Sequence, residues 1–357
     1  MEDNKIDLLS LELTELKVLM EEIGEPKYRA EQLYVGMQKG ISPEDMTNVG
    51  KVTRAKLFER GYYYIPKIEL KLTSKLDGTV KYLFALSDGN CIESVVMRYK
   101  HGNTICISSQ VGCLMGCVFC ASTIGGKLRD LRPSELLGQI IAAQNDMGER
   151  ISNIVMMGIG EPLDNYDNVI KFLRLVGDEK GLNIGYRHIS LSTCGLVDKI
   201  DRLAKENFPI TLSISLHACD NETRSSIMPI NKKWNIDALL DACKRYFATT
   251  GRRISFEYTL IAGKNDSPAQ AEKLAALLNS RLRTRTDTMP IHINLIPVNE
   301  VEERDFVRSG KDAVEKFAAI LNKRGCRATV RRKLGSDINA SCGQLRRAHE
   351  KQEEQHV

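Results

Sequence analysis

The feature that most constrains this chain is an alternation of strand-like and helix-like segments that begins near residue 104 and runs to about residue 330. Short β-branched runs stand at TICISS (104–109), NIVMMG (153–158), ISLST (189–193), ITLSIS (210–215), ISFEYTLI (254–261) and IHINLIPV (291–298). Between them lie PSELLGQIIAAQND, YDNVIKFLRLVG, VDKIDRLAKE, NIDALLDACKRYF and PAQAEKLAALLN; the helix DAVEKFAAILNKRG then leads to ATVRRK. Six or so β–α units with near-continuous apolar strands predict an α/β fold, a parallel sheet covered by helices. In barrel-like versions of that architecture, chemistry gathers at the C-terminal ends of the strands. Ahead of this region, LLSLELTELKVLMEEIG and KYRAEQLYVGMQKG each have helical spacing and close on glycine. KIELKLTSK, KYLFALSDGN and CIESVVMRY follow, with Asp-Gly and Gly-Asn turn signals, and read as β-hairpins.

Ten cysteines are the unusual part of the composition. No run approaches the roughly 18 apolar residues that a bilayer span requires, so no membrane partner is expected. The start, MEDNKIDLLS, lacks the apolar core of a secretory signal, which predicts a cytoplasmic protein. In a reducing compartment, cysteines argue for metal binding or thiol chemistry rather than a disulfide framework. The net charge of +5, from 51 basic and 46 acidic residues, leaves room for a local basic patch. Residues 321–335 carry six Lys/Arg and no acid, and RLRTR (281–285) adds a second basic group. A charge run is by default a solvated face.

The strongest local signal is Gly112-Cys113-Leu-Met-Gly-Cys117-Val-Phe-Cys120, directly after a predicted strand. Three thiolates at this spacing converge on one metal centre from a single tight loop. Iron–sulfur clusters are held by such cysteines, usually four, so three ligands leave one iron open. A structural zinc site with Cys106 as fourth ligand is the competing reading, although zinc sites usually pair two short cysteine knuckles.

The C-x3-C-x2-C triplet, with Phe119 before its last cysteine, resembles the radical S-adenosylmethionine (SAM) signature. The wider chain resembles the RlmN/Cfr branch, the radical SAM rRNA adenine methyltransferases. CISSQVGC (106–113), FCASTIGG (119–126), MMGIGEPLDN (156–165), LSTCG (191–195), SISLHA (213–218), MPIN (228–231), NLIPVN (294–299) and DINASCGQLR (337–346) carry the likeness in order. FCAST, LIPVN and CGQLR favour the RlmN side.

The resemblance implies a partial (βα)6 barrel with a small helical N-terminal accessory domain (1–65, RNA-binding), a β-rich extension (66–98), the radical SAM core (99–335) and a C-terminal carrier-cysteine tail (336–357). It implies a 4Fe–4S cluster on Cys113, Cys117 and Cys120, and SAM contacts at Gly160, Glu161, Ser192, Ser215, Leu216, His217 and Asn299. Two SAM molecules are used per turnover. One methylates Cys342, because a ring carbon of adenine is a poor nucleophile and a thiolate is a good one. The second yields the 5′-deoxyadenosyl radical that activates this methyl group for addition to the ring. Cys106 then forms a transient disulfide with Cys342, and Glu93 takes the proton from the ring carbon. Without the resemblance, Glu93 reads as a solvated strand carboxylate, His217 and Met157 as core residues, and Cys342 as an inert thiol.

The implied substrate is 23S rRNA, at C2 of adenine 2503, with adenine 37 of tRNA as a second candidate. Flavodoxin or ferredoxin would be the electron donor and the protein a monomer. Cfr-like C8 methylation, and a non-catalytic iron–sulfur or zinc protein that binds RNA, are the alternatives. The chain departs from the family pattern at Asn339, which replaces an acid, at Ser341, which replaces an alanine, and at Ile159, where methionine is common.

Overall fold

A computed structural model describes residues 5–283, 289–301, 303–338, 343 and 345–346. Helices α1 (Leu13–Glu22), α2 (Tyr28–Gln38) and α3 (Lys51–Arg60) form the N-terminal unit. A capping box starts α1, with Glu15 accepting from the Glu12 amide at 2.7 Å. The unit is fixed to the rest of the molecule by the Ser134 amide donating to Ser10 Oγ, and by a Lys171–Glu15 ion pair at 2.8 Å.

One ten-stranded sheet forms the centre. Its strands are β1 (Lys67–Thr73), β2 (Val80–Ala85), β3 (Cys91–Tyr99), β4 (Gly102–Cys106), β5 (Ile151–Met156), β6 (Ile189–Thr193), β7 (Thr211–Ser215), β8 (Ile254–Leu260), β9 (His292–Pro297) and β10 (Arg327–Val330). Each strand lies beside its neighbour in sequence. β1 to β4 pair antiparallel, and β4 to β10 all run parallel. The hairpins expected at 66–98 are therefore not a separate layer; they prolong the barrel sheet at its β4 edge.

Helices α4 (Pro133–Met147), α5 (Tyr166–Gly177), α6 (Val197–Lys205), α8 (Ile236–Thr250), α9 (Pro268–Leu282) and α10 (Lys311–Lys323) connect successive parallel strands, and a short α7 (Asn221–Ile227) precedes α8. Their ends are written locally. Asn235 caps α8 through the Ala238 amide, and Gly251, at φ +61°, ends it. Pro268 follows the Ser267 cap of α9. The parallel (βα)6 layout predicted from the alternation is borne out.

One detail differs. The parallel strands are not apolar throughout. Leu191, Leu212, Ile214 and Phe256 join the helices in one buried core, while Ser190, Ser192, Ser213, Ser215, Glu257 and Asn294 stand at the alternate positions. In a curved sheet covered by helices on its outer side, the inner side is free to line a cavity, and a polar row is tolerated there because its members bond one another. Ser190 and Ser213 hydroxyls are 3.1 Å apart, and Asn294 Nδ2 donates to Glu257 at 2.7 Å.

Candidate functional site

The cysteine triplet sits on a loop whose neck is a small antiparallel pair, Gln110–Gly112 with Lys127–Asp130. The Cys113 amide donates to the Gly126 carbonyl at 2.9 Å. Gly112 has φ +79°, and a Cβ there would stand 1.9 Å from that same carbonyl oxygen, so the neck admits only glycine. Inside the loop, Cys120 N donates to Cys117 O at 3.1 Å, and Thr123 Oγ1 donates to the Cys117 and Cys120 carbonyls at 3.1 and 2.9 Å. Val118 N donates to Ile227 O, tying the loop to the end of α7.

The three cysteines line one cavity of about 560 Å³, within the roughly 300–1,000 Å³ of small-molecule sites. Burial pushes the Cys113 thiol up to about 12 and the Cys117 thiol well above its ordinary value, with each further raised by Cys120. Buried thiols that disfavour their own ionisation, and repel one another when ionised, suit a positively charged inorganic centre that supplies the missing counter-charge. Among the described residues no three His, Cys, Asp or Glu side chains are gathered tightly enough for a single metal ion. Three buried cysteines on one short loop are the residues that would hold an iron–sulfur cluster.

The cavity wall opposite the loop comes from the strand ends. Gly160 (φ +104°) passes so close to Gln110 that a Cβ would lie 2.6 Å from that side chain. Gln110 Oε1 accepts the Glu161 amide at 2.9 Å while its Nε2 donates to Asp130 and Asp164 at 2.8 Å, locking the β5 turn to the cluster loop. Glu161 is fully buried. Its oxygens accept the Leu163 and Cys194 amides at 3.0 and 2.7 Å, yet burial still holds its carboxyl above the ordinary carboxylate range.

Ser192, Ser215, His217 and Asn299 line the same cavity. Leu216 does not; its side chain is fully buried, and its amide donates to Glu257 O at 3.1 Å. His217 has φ +56° and lies edge-on to Phe119, with ring centroids 5.0 Å apart. Its Nδ1 accepts the Thr259 amide at 2.9 Å, so the proton of the neutral ring is on Nε2. Burial and Arg224 push its pKa down to about 3, and the ring stays neutral.

Cys106 and Met157 also face this cavity, packed with Val95, Met97 and Leu334. Glu93 lies on β3, buried, with its Oε2 3.1 Å from Lys81 Nζ. Oε2 also accepts the Gly343 amide at 2.9 Å, and Oε1 accepts the Arg346 amide at 2.6 Å. Cys342, Asn339 and Ser341 lie outside the described residues. Gly343, the residue after Cys342, is wedged against the turn that follows Cys120: a Cβ on it would meet Ser122 Oγ at 3.0 Å and Ala121 Cβ at 3.2 Å. The two ends of the motif set, more than 200 residues apart in sequence, thus meet at one place.

Three residues escaped sequence reasoning. Lys81, on β2, has a buried side chain although lysines are seldom fully buried unpaired; its position amid KYLFAL was the available signal. Glu257 lines the cavity, raised by burial and held by Ser255 and Asn294. Arg224, on α7, is completely buried and donates to the carbonyls of Leu216, Cys194 and Ser215 and to Asn231 Oδ1. No local pattern marks it.

At the cavity mouth stand Arg308, Arg331, Arg332 and Lys333. Part of the basic 321–335 run therefore rims the site. Arg281 of RLRTR, by contrast, is neutralised by Asp237 and Asp241.

A parallel (βα)6 sheet whose strand-end cavity opens onto a C-x3-C-x2-C loop defines a radical SAM enzyme, and the model of the radical SAM superfamily matches residues 107–275. A second model, the ribosomal RNA large subunit methyltransferase N-terminal domain, matches residues 6–62. Probable dual-specificity RNA methyltransferases RlmN from Clostridium tetani and Clostridium novyi are each 52% identical to this chain, covering 99% and 96% of it and 99% and 98% of their own lengths. The crystal structure of a radical SAM methyltransferase from Sphaerobacter thermophilus superposes with a TM-score of 0.88 at 41% identity, over 95% of this chain and 98% of that one. The chain belongs to the RlmN family of radical SAM RNA methyltransferases, enzymes that use a 4Fe–4S cluster and two SAM molecules per turnover. No helix among the described residues is long and apolar enough to cross a membrane.

Proposed function

We propose that the protein methylates C2 of an adenine in 23S rRNA, with a tRNA adenine as a second substrate, through a methyl group carried on Cys342. The observation that carries this reading is that the cysteine loop, the strand-end wall and Cys106 share one cavity, and that Gly343, the neighbour of Cys342, rests on Ala121 of its wall. Cys113, Cys117 and Cys120 hold the cluster, which when bound supplies the electron that cleaves SAM. Gly160 presents bare backbone to SAM, and Glu161 accepts its ammonium group. Ser192, Ser215, the Leu216 backbone, the Nε2–H of His217 and Asn299 surround the rest of the molecule.

Cys342 would take the methyl group by displacing it from one SAM. That methyl would give up one hydrogen atom to the radical derived from the second SAM, its carbon would bond to the ring carbon, and the surplus electron would return to the cluster. Glu93 accepts the proton lost from the ring carbon. Cys106, as thiolate, then attacks the Cys342 sulfur; the S–S bond forms as the sulfur–carbon bond breaks, its electron pair passes to the carbon, which takes up a proton, and the methylated base departs. Arg308, Arg331, Arg332 and Lys333 neutralise RNA phosphates around a base taken out of its stack. The reading includes a monomer in the cytoplasm, where cellular thiols reverse the disulfide and flavodoxin or ferredoxin supplies electrons.

Nucleoside mass spectrometry of treated rRNA tests it. The wild-type enzyme yields 2-methyladenosine; the Cys342→Ala variant yields none while still cleaving SAM. 8-Methyladenosine without the 2-methyl isomer would overturn the regiochemistry, and normal methylation by Cys342→Ala would overturn the carrier.

A pH effect follows from Glu161. Only its ionised form pairs with the SAM ammonium, and burial raises the pH at which it protonates. SAM affinity, measured by equilibrium dialysis as the pH is lowered, weakens once the pH falls below that raised value. Glu161→Gln binds SAM weakly at every pH with a flat profile; a flat wild-type profile contradicts the assignment.

A further inference from the structure

The segment that carries Cys342 is tied down on both sides of that residue by the antiparallel extension of the sheet. On the upstream side, Asp337 accepts from Ser74 Oγ at 2.6 Å and from the Lys75 amide at 2.9 Å, and the Gly335 amide donates to Asp77 Oδ2 at 2.9 Å. The turn between β1 and β2 is built to make these contacts. Ser74 is buried, and its hydroxyl oxygen also accepts the Leu76 and Asp77 amides at 3.2 and 3.3 Å. On the downstream side, Glu93 of β3 accepts the Gly343 and Arg346 amides, and Gly343 rests on Ala121 and Ser122.

The two anchors differ in kind. Both oxygens of Glu93 are engaged, by Gly343, Arg346 and Lys81. On the reading of Glu93 as proton acceptor, a proton taken up by this carboxylate weakens its hold on the loop amides. The upstream anchor contains no group with a chemical role, so it can hold while the downstream one lets go. A thiol that must first receive a methyl group and then present it to a base needs such a fixed root, because a misplacement of about 1 Å can lower a rate roughly 100-fold.

We infer that the β1–β2 turn is the dock of the carrier segment, with Ser74, Asp77 and Asp337 as positioning residues that hold Cys342 at the cofactor cavity. The inference rests on the reading of Cys342 as methyl carrier. It gives the antiparallel extension a duty in the reaction and not only in the sheet.

The test uses the full-length, cluster-reconstituted enzyme with SAM and a 23S rRNA fragment under anaerobic conditions. It measures 5′-deoxyadenosine formed per adenine methylated, and Cys342 S-methylation by intact mass. Asp337→Ala keeps its iron content and its SAM cleavage in the absence of RNA, but makes at least tenfold more 5′-deoxyadenosine per methylated adenine. Asp337→Asn, which retains an acceptor for Ser74, recovers part of the coupling; a purely structural role would move the melting temperature and leave this ratio alone. Ser74→Ala reproduces the uncoupling and decides the matter should Asp337→Ala fold poorly. A ratio within twofold of wild type in both variants overturns the inference. Cys342→Ala separates the two levels. If it methylates normally, the carrier reading itself fails; if it is inactive while Asp337→Ala remains coupled, only the docking inference fails.

Discussion

Replacing Lys81 by methionine is expected to destabilise the protein by about 3–5 kcal/mol, the usual result of removing one partner from a buried ion pair. Lys81 and Glu93 are both almost inaccessible, at 0% and 2% exposure, and their charged atoms are 3.1 Å apart. They sit on neighbouring antiparallel strands. Lys81 pairs with Val95 and Leu83 with Glu93, so the two side chains are diagonal neighbours on one face. Methionine fills the space of the lysine stem but leaves a buried carboxylate whose remaining donors, among the described residues, are the Gly343 and Arg346 amides. Urea denaturation measures the loss. The Lys81→Met/Glu93→Gln double variant recovers much of the stability, since no charge is then stranded. On the proposed assignment of Glu93 as proton acceptor, it transfers no methyl group. A single variant as stable as wild type would mean that the pair is dispensable to the fold.

Lys81 also shows where reading a sequence stops. The parallel core was legible because each strand is a β-branched run bounded by helical spacing, and ISLST even fell on Ile189–Thr193 with both ends correct. The cysteine loop was legible because its donors are eight residues apart or fewer. The inner serines of β6 and β7 could have been read as a cavity lining, since ISLST and SIS alternate strictly; taken as continuous apolar runs, they pointed only to burial. A lysine in a strand, by contrast, reads as solvent-facing, and its partner lies on a different strand. The contacts of Asp337 with Ser74, and of Gly343 with Glu93, join residues about 250 positions apart. Nothing local to either end announces them. Glu93 was named only through family likeness, and the likeness was silent about the lysine and the amides that fix its carboxylate.

Arg224→Met is expected to be more damaging still, and to damage the cofactor site first. The guanidinium is fully buried, hydrogen-bonds carbonyl oxygens and the Asn231 amide, and pulls together the ends of two adjacent strands. Nη2 donates to Cys194 O beyond β6 at 2.7 Å and to Ser215 O at the end of β7 at 3.1 Å. Nε donates to Leu216 O at 3.2 Å and Nη1 to Asn231 Oδ1 at 3.0 Å. Two effects oppose each other in the substitution. Removing a buried cation relieves its desolvation, which already pushes its pKa below the ordinary arginine value. Against that, four buried acceptors lose their donor, at about 1–3 kcal/mol each. The acceptors are backbone carbonyls and an amide that the same mutation cannot remove, so the loss wins, with a net cost on the order of 4 kcal/mol or more. Arg224→Lys keeps the charge and at most three donors without the planar fork, and falls between the two. Because Ser192, Ser215 and His217 hang from the strand ends that Arg224 ties, SAM affinity falls in Arg224→Lys before global stability does. Isothermal titration of SAM beside urea denaturation separates these effects. Wild-type SAM affinity in a folded Arg224→Lys variant would show that the guanidinium braces the fold without shaping the site.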